Sequence, residues 1–548
     1  MNIDPQPATK AAETPAPGGK RTTYLLPDGR PDASVLQDRT PEFLKISRPV
    51  AILVSVVGLL FTIINYFPLY HSDLWGHLAY GRWIVEHGAP TTEPLMPLDR
   101  GVPFIDLAWL SQVLGYQMYE RFGVAGIQFA SACCLSIVMS LLVGMVYSRT
   151  KNHWAALLTL MTFLVVDSQQ IAFGTLLIPR PQLAGMACFS IVFAVATSVR
   201  PRWWHLVIVA ITFALWSNLH GSFVVGLTML GVLTIGRYID FTWRARHLMA
   251  GWRDSRFRWL LLATELAAVC VLINPYGIGA YGEALAVANS ENVRDLVEWE
   301  PLTLRMMQGQ FAAIAAFVLV CLYRLTPRRI TSGEVLLLIV FGGLALWTSR
   351  MIVWWAPMAA YFIGLHLAAA LRRWWKPADP VSTRAGLNTV VAVGLCWIYF
   401  AYSPFGVLAL HGPPKTAEEQ ARRFRKTVSQ DLPVDLNEWL HENPLPAGQV
   451  FNCYEWGDYL MFAGPPKMQL FVNSHVHLIP TEVWTDYRQV SWGLTGDWQV
   501  KLDRYGVNSV IMDKLAHEEM VDALKASSLW EKQYEDRLGA VFVRRKPI

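Results

Sequence analysis

Ser72-Asp73-Leu74-Trp75-Gly76-His77 follows directly on residues 49–70, an apolar run long enough to cross a bilayer. A charge buried in lipid costs a few kcal/mol, so an acid beside a span lines a functional cavity or is paired. Asp73 is therefore the first candidate for function, and the runs around it decide the fold. Of the 548 residues, 53% are hydrophobic and 16% charged. Soluble domains carry about 25% charged residues, so the composition points to an integral membrane protein. The net charge of +5 does not indicate a nucleic-acid partner, because the basic residues sit in short loops between apolar runs.

A spanning helix needs about 20 apolar residues. Candidate runs cover 49–70, 122–147, 154–174, 182–199, 204–219, 222–240, 258–275, 309–325, 333–348, 351–371 and 386–404, which gives about eleven transmembrane helices. Every even-numbered exit is basic: Arg149 and Lys151; Arg200 and Arg202; Arg237, Arg244, Arg246, Arg253, Arg256 and Arg258; Arg324, Arg328 and Arg329; Arg372, Arg373, Lys376 and Arg384. That bias predicts a cytoplasmic N-terminus, and the expected location is the cell (inner) membrane, crossed many times. An odd number of spans then places Asp73 and the C-terminal tail outside the cytoplasm. Residues 1–45 have no apolar core, so they predict a disordered cytoplasmic tail and no cleavable signal peptide. The transmembrane domain is expected over 46–404, a linker over 405–430 and an extracytoplasmic domain over 431–548.

The first outer loop, 71–121, predicts a helix over 73–87, with Ser72 or Asp73 as its cap and Gly88 at its end. Asp73 thus has two compatible readings, helix cap and general base. Arg82 and Glu86 have the spacing of an i,i+4 pair. A second surface helix is expected over 104–120. In the tail, helices are predicted at 434–443, 481–491 and 516–527, and strands at 449–452, 469–473, 509–513, 530–534 and 540–544. Together they make a small α/β domain. Of seven cysteines only Cys453 lies in the tail, which gives no disulfide framework.

His77 lies one turn after Asp73, on the same helix face. His475-Val476-His477, on a strand, would set both rings on one side. Neither pair has a third ligand at a standard spacing, so a divalent metal is not supported and no cofactor is expected. Arg180, Arg305 and Arg350 fall on the outer side against the charge bias, where guanidinium groups suit a lipid phosphate or simply snorkel to water. Asp106, Asn218, His220 and Tyr276 belong to polar clusters on the same rim, as does Glu298-Trp299-Glu300-Pro301.

The run from Ser72 to Ile84 followed by Glu86-His87-Gly88 resembles the first outer loop of bacterial GT-C membrane glycosyltransferases. Asp106-Leu107-Ala108-Trp109-Leu110, Pro179-Arg180-Pro181-Gln182, Asn218-Leu219-His220-Gly221, Asn274-Pro275-Tyr276-Gly277 and Val450-Phe451-Asn452-Cys453-Tyr454-Glu455-Trp456-Gly457-Asp458-Tyr459-Leu460 are similar to that group too. The resemblance implies a polytopic helical fold with an outer soluble domain and sugar transfer from a polyprenyl-phosphate donor, with Asp73 as base. It implies phosphate contacts from Arg350 and Arg180, with His77, Arg82, Asp106, Asn218, His220, Tyr276 and Arg305 as further substrate-facing candidates. The acceptor is a glycan, a lipid or a protein. Asp106 and Asn473-Ser474-His475 depart from the group's pattern, which leaves a ligand-binding role for the tail in question. The rival expectation is a non-enzymatic transporter of lipid-linked sugars or an envelope scaffold. Transport favours ionisable groups at mid-membrane, where Glu265 is the main candidate.

Overall fold

The computed structural model describes residues 40–69, 73–167, 177–372, 374, 385–493 and 495–548. The N-terminal tail to residue 39, the Ser72 cap, and Arg373, Lys376 and Arg384 lie outside the described residues. Each expected apolar run holds a helix: α1 (Arg48–Asn65), α3 (Trp109–Thr150), α4 (His153–Val166), α5 (Gln182–Ala196), α6 (Trp203–Leu219), α7 (Phe223–Ala245), α8 (Ser255–Val271), α10 (Met307–Leu325), α11 (Ser332–Trp347), α12 (Ile352–Ala370) and α13 (Ala385–Ala401). Two more lie between them, α2 (Asp73–His87) and α9 (Gly279–Asn289). Among the described residues, five helical segments are long and apolar enough to cross a membrane: α1, α3, α7, α10 and Ser349–Ala370. A sixth counts if α13 and α14 (Pro404–His411), bent by 82°, form one span. Helices α4, α5, α6 and α11 are apolar but shorter.

Helix α12 is the centre of the bundle. Every residue from Ile352 to His366 is buried, as expected of a helix that is apolar all round. At the basic end Arg149 donates to the Thr197 carbonyl, Arg256 to those of Ala196 and Ser198, and Arg237 pairs with Asp254 at 2.6 Å. Arg149 and Arg256 thereby satisfy carbonyls left open at the C-terminus of α5. Near the same end Glu334 accepts from Tyr323 and pairs with His366, both at 2.7 Å. Glu265 is exposed on α8 and does not point into the bundle.

The expected surface helix over 104–120 is the first part of α3, which runs on into the second span across a break at Gly123. Gly123 has φ +58°, a conformation that side chains resist. Helix α2 has the expected bounds and stops at Gly88, φ +87°. Two glycines let it be gripped from both sides. A Cβ on Gly81 would meet the Gln112 carbonyl oxygen at 2.2 Å, and one on Gly76 would meet Asp458 Oδ1 at 2.5 Å. Between these contacts Trp75 is fully buried against Tyr119, Phe424, Tyr459 and Phe462. Helix α2 is therefore wedged between α3 and the C-terminal domain.

The stretch expected as a linker is helical, with α14 and then α15 (Ala417–Thr427). Val428 pairs with Leu69 at the end of the first span. The domain beyond it contains α16 (Val434–Glu442), β1 (Gln449–Asn452), α17 (Tyr454–Ala463), β2 (Gln469–Leu470), α18 (Thr481–Ser491), α19 (Trp498–Arg504), β3 (Val507–Asp513), α20 (Glu518–Ala526), β4 (Trp530–Glu535) and β5 (Gly539–Arg544). The sheet order is β2-β1-β3-β5-β4, parallel through β2, β1 and β3 and antiparallel at β5 and β4. Its core is a separate apolar cluster built on Phe451, Val510, Ile511 and Phe542. The strand expected over 469–473 shrinks to two residues. Beyond Leu470 the Phe471 N–H is shared between the Val450 carbonyl and the Asn452 side chain, and the Val472 N–H donates to Asn452, so a side chain takes over from the neighbouring strand. His475 and His477 consequently sit in a turn, and strand alternation does not orient their rings.

Candidate active site

Four loops and the tail domain meet at the start of α2. Arg180, just before α5, places its Nε 2.8 Å from Asp73 Oδ2 and its Nη1 2.7 Å from Glu298 Oε2. The other oxygen of Glu298 lies 2.6 Å from Arg350 Nη1, and Arg350 stands over the Trp299 ring at 5.3 Å. Asp73, Arg180, Glu298 and Arg350 thus form one alternating chain of charge, supplied by the start of α2 and three connecting segments. The geometry of its middle is fixed by backbone ties. Ser349 Oγ donates to the Glu298 carbonyl at 3.0 Å, and the Ser349 N–H donates to the Glu300 carbonyl at 2.7 Å.

The electrostatics follow from this packing. Burial opposes the charge on Arg180, but Asp73 and Glu298 outweigh it and raise the pKa. Burial likewise opposes ionisation of Glu298, yet Arg350 and Arg180 hold its carboxyl below the ordinary range. The four groups line a recess: Asp73, Arg180, Glu298 and Arg350 are partly accessible although surrounded by protein.

Histidines form the wall. Burial lowers His77 to about 4 and His220 to about 3, with the charges of Arg180 and Arg350 adding to the effect. His477 falls to about 4 by burial and Arg350, and His475 falls by burial and the nearby His477. All are therefore neutral near pH 7. The ring centroids of His77 and His475 are 6.0 Å apart and those of His475 and His477 5.6 Å, while His475 stacks on Tyr80 at 4.4 Å. These are packing distances, and among the described residues no three His, Cys, Asp or Glu side chains converge as a metal site.

The tail domain supplies the roof, which sequence reasoning did not rank among the site residues. Asp458 and Tyr454 lie on α17, which packs directly on α2. Asp458 is fully enclosed against Gly76, and its Oδ1 accepts from the Ser474 N–H at 3.3 Å. Burial, and then the charge of Asp73, raise its pKa well above the usual carboxylate range. Tyr454 is raised by burial and by the charges of Asp73, Asp458 and Glu298. The signal available in the sequence was the run from Val450 to Leu460, which carries both residues.

A carboxyl with a raised folded pKa contributes stability that is fully present below its unfolded value, about 4, and is lost as pH rises through the folded value. Ionising Asp458 also puts a second negative charge beside Asp73. Asp458→Asn keeps the acceptor for Ser474 and removes the titration. The variant is expected to lose less melting temperature than the parent between pH 5 and pH 9, and parallel curves for the two proteins would contradict this.

The remaining candidates divide. His77 and His220 line the recess. Asp106 is buried behind His77: Gln112 Nε2 lies 3.1 Å from Asp106 Oδ1 and 3.3 Å from His77 Nδ1. Burial raises Asp106 to about 7. Asn218 and Tyr276 act as fasteners. Asn218 accepts from Trp109 at 2.9 Å and donates to the Ile273 carbonyl at 2.7 Å, and the Tyr276 hydroxyl donates to the Pro90 carbonyl at 3.2 Å. Arg82 turns away from both the recess and its expected partner Glu86. It donates to the Phe462 carbonyl at 3.1 Å and covers that ring at 5.0 Å. Arg305 is exposed and has no hydrogen bond or ion pair with the cluster.

Neither a family model nor a curated protein matches the sequence. Solved structures similar to the chain include the oligosaccharyltransferase AglB from Archaeoglobus fulgidus, in complex with an inhibitory peptide and a dolichol-phosphate, at 11% identity over 90% of this chain and 74% of that one, TM-score 0.48. The arabinofuranosyltransferase AftD from Mycobacteria is similar at 15% identity over 91% of this chain and 40% of that one, TM-score 0.48. ArnT from Cupriavidus metallidurans, in the apo state, is similar at 14% identity over 90% of this chain and 97% of that one, TM-score 0.48.

Proposed function

We propose that this chain is a GT-C-type glycosyltransferase of the cell (inner) membrane. It moves a sugar from a polyprenyl-phosphate donor to an acceptor glycan, lipid or protein on the non-cytoplasmic face. The observation that carries this reading is a carboxylate, Asp73, joined to Arg180 at 2.8 Å in the same recess as Arg350. A carboxylate beside two guanidinium groups supplies both halves of such a transfer, a proton acceptor for the attacking hydroxyl and cations for the departing phosphate. A lipid phosphate is a good leaving group, so the acid–base pair of glycoside hydrolysis is unnecessary. Asp73 takes the proton of the acceptor hydroxyl as that oxygen bonds to the anomeric carbon. The bond from that carbon to the phosphate oxygen breaks, and its electron pair leaves with the phosphate. Arg180 and Arg350 stabilise the charge that develops there. Attack opposite the leaving group inverts the anomeric centre. Transport receives less support, because Glu265 does not face the bundle interior.

The test is transfer by the full chain in proteoliposomes, using polyprenyl-phosphate donors labelled in the sugar. The expected result is labelled acceptor of inverted configuration with stoichiometric release of polyprenyl phosphate. A retained configuration, or label bound covalently to the protein, overturns the mechanism. Movement of intact donor across the vesicle without its cleavage would favour transport.

A further inference from the structure

The two guanidinium groups assigned to the phosphate hold a carboxylate in this structure. Glu298 gives one oxygen to Arg180 at 2.7 Å and the other to Arg350 at 2.6 Å. A phosphate would make the same bridging contacts, because carboxylate and phosphate offer guanidinium similar pairs of oxygens. We infer that Glu298 is a built-in stand-in for the donor's phosphate: it fills the arginine clamp while the site is empty, yields it to the arriving lipid phosphate, and returns to expel the product. This inference rests on the proposed donor class.

Three features argue for a placeholder over a permanent strut. The first is charge. Asp73 and Glu298 already balance Arg180 and Arg350, so a phosphate entering with Glu298 in place would make the recess net negative. With Glu298 withdrawn, the two arginines face one carboxylate and the phosphate. The second is chemistry. The donor is a phosphodiester with one negative charge, and its product is a monoester carrying nearly two at neutral pH. Arginines freed of Glu298 are better matched to the product-like transition state. The same match would trap the product unless something competes for the clamp. The third is tethering. The Glu298 backbone carbonyl is held by Ser349, and the Glu300 carbonyl by the Ser349 N–H. The side chain can therefore swing out while its backbone stays beside Arg350, which keeps the competitor local and always available. The Glu298 side chain is 25% exposed, so it has an accessible side toward which to move.

An internal competitor lowers apparent affinity by the fraction of time the clamp is free. If the clamp is filled about nine-tenths of the time, removing the competitor tightens phosphate binding about tenfold. The test measures binding of farnesyl phosphate, with farnesol as the phosphate-free control, to the full chain in nanodiscs. Glu298→Gln is expected to bind farnesyl phosphate about tenfold more tightly, with slower release and unchanged farnesol binding. Glu298→Asp keeps the charge but is one methylene short of bridging both arginines, and is expected to fall between. Glu300→Gln, which removes a charge from the exposed side of the same turn, separates competition for the clamp from a general field effect. Equal tightening in Glu300→Gln and Glu298→Gln overturns the stand-in, as does weaker binding in both Glu298 variants. If neither the parent nor any variant distinguishes farnesyl phosphate from farnesol, the proposed donor class itself is wrong.

Discussion

Asp73→Asn is expected to reduce sugar transfer by about 10²–10⁴-fold, the contribution of a positioned general base. The change keeps the size of the side chain and its oxygen toward Arg180, and Arg180 retains Glu298 at 2.7 Å. Melting temperature is thus expected to move by only a few degrees, and donor binding to persist, because the clamp for phosphate is intact. The loss should appear in kcat with little change in KM for the donor, since proton removal happens only in the transition state. A folded Asp73→Asn protein with full transfer would remove Asp73 from the chemistry and leave it as the start of α2. A loss confined to KM would make it a substrate-positioning group instead.

Arg180→Met is expected to be the most damaging single change to both stability and activity. Arg180 is the central link, with a side chain only 8% exposed. Its removal strands Asp73 without its cation and leaves Glu298 with Arg350 alone. Breaking a buried pair from one side typically costs about 3–5 kcal/mol, because the remaining charge stays in a poorly solvated place. Transfer should fall below detection. Arg180→Lys separates the two effects: it restores a charge, so most of the stability returns, but an ammonium lacks the planar fork that reaches two carboxylates at once. Activity should therefore stay low while melting temperature recovers. Full activity in Arg180→Lys would show that a point charge suffices there.

The periodicity and length of the apolar runs were legible because lipid-facing helices must satisfy their backbone internally, so hydropathy alone marks them. Arg180 and Arg350 were legible because their loops are the ones the basic-residue bias expects to lack positive charge, and Asp73 because an acid directly after a span lines a cavity or is paired. The direction each one faces was not. Arg82 is nine residues after Asp73, and at about 100° per residue it lies on the opposite side of α2, which is why it meets Phe462. Glu298 stood in a motif already noted, but its link to two arginines depends on loops far apart in sequence. Asp458 was hidden for a similar reason: nothing local to α17 says that it will rest on Gly76. The shortened β2 misled for another reason. Leu470-Phe471-Val472 is as apolar as a buried strand, and nothing in it tells that the Asn452 side chain takes over from the strand ladder.

The pairing of Leu69 with Val428 ties the last domain to the end of the first span. During synthesis the two are separated by nearly the whole membrane region. A nascent chain that has inserted its helices has Asp73 and Arg180 in place but no Tyr454 or Asp458 above them. Those charges then face open water, where their mutual attraction is weak. Competence in the proposed transfer is accordingly expected only when the final part of the polypeptide has docked, so a chain cut before Tyr454 should be inert.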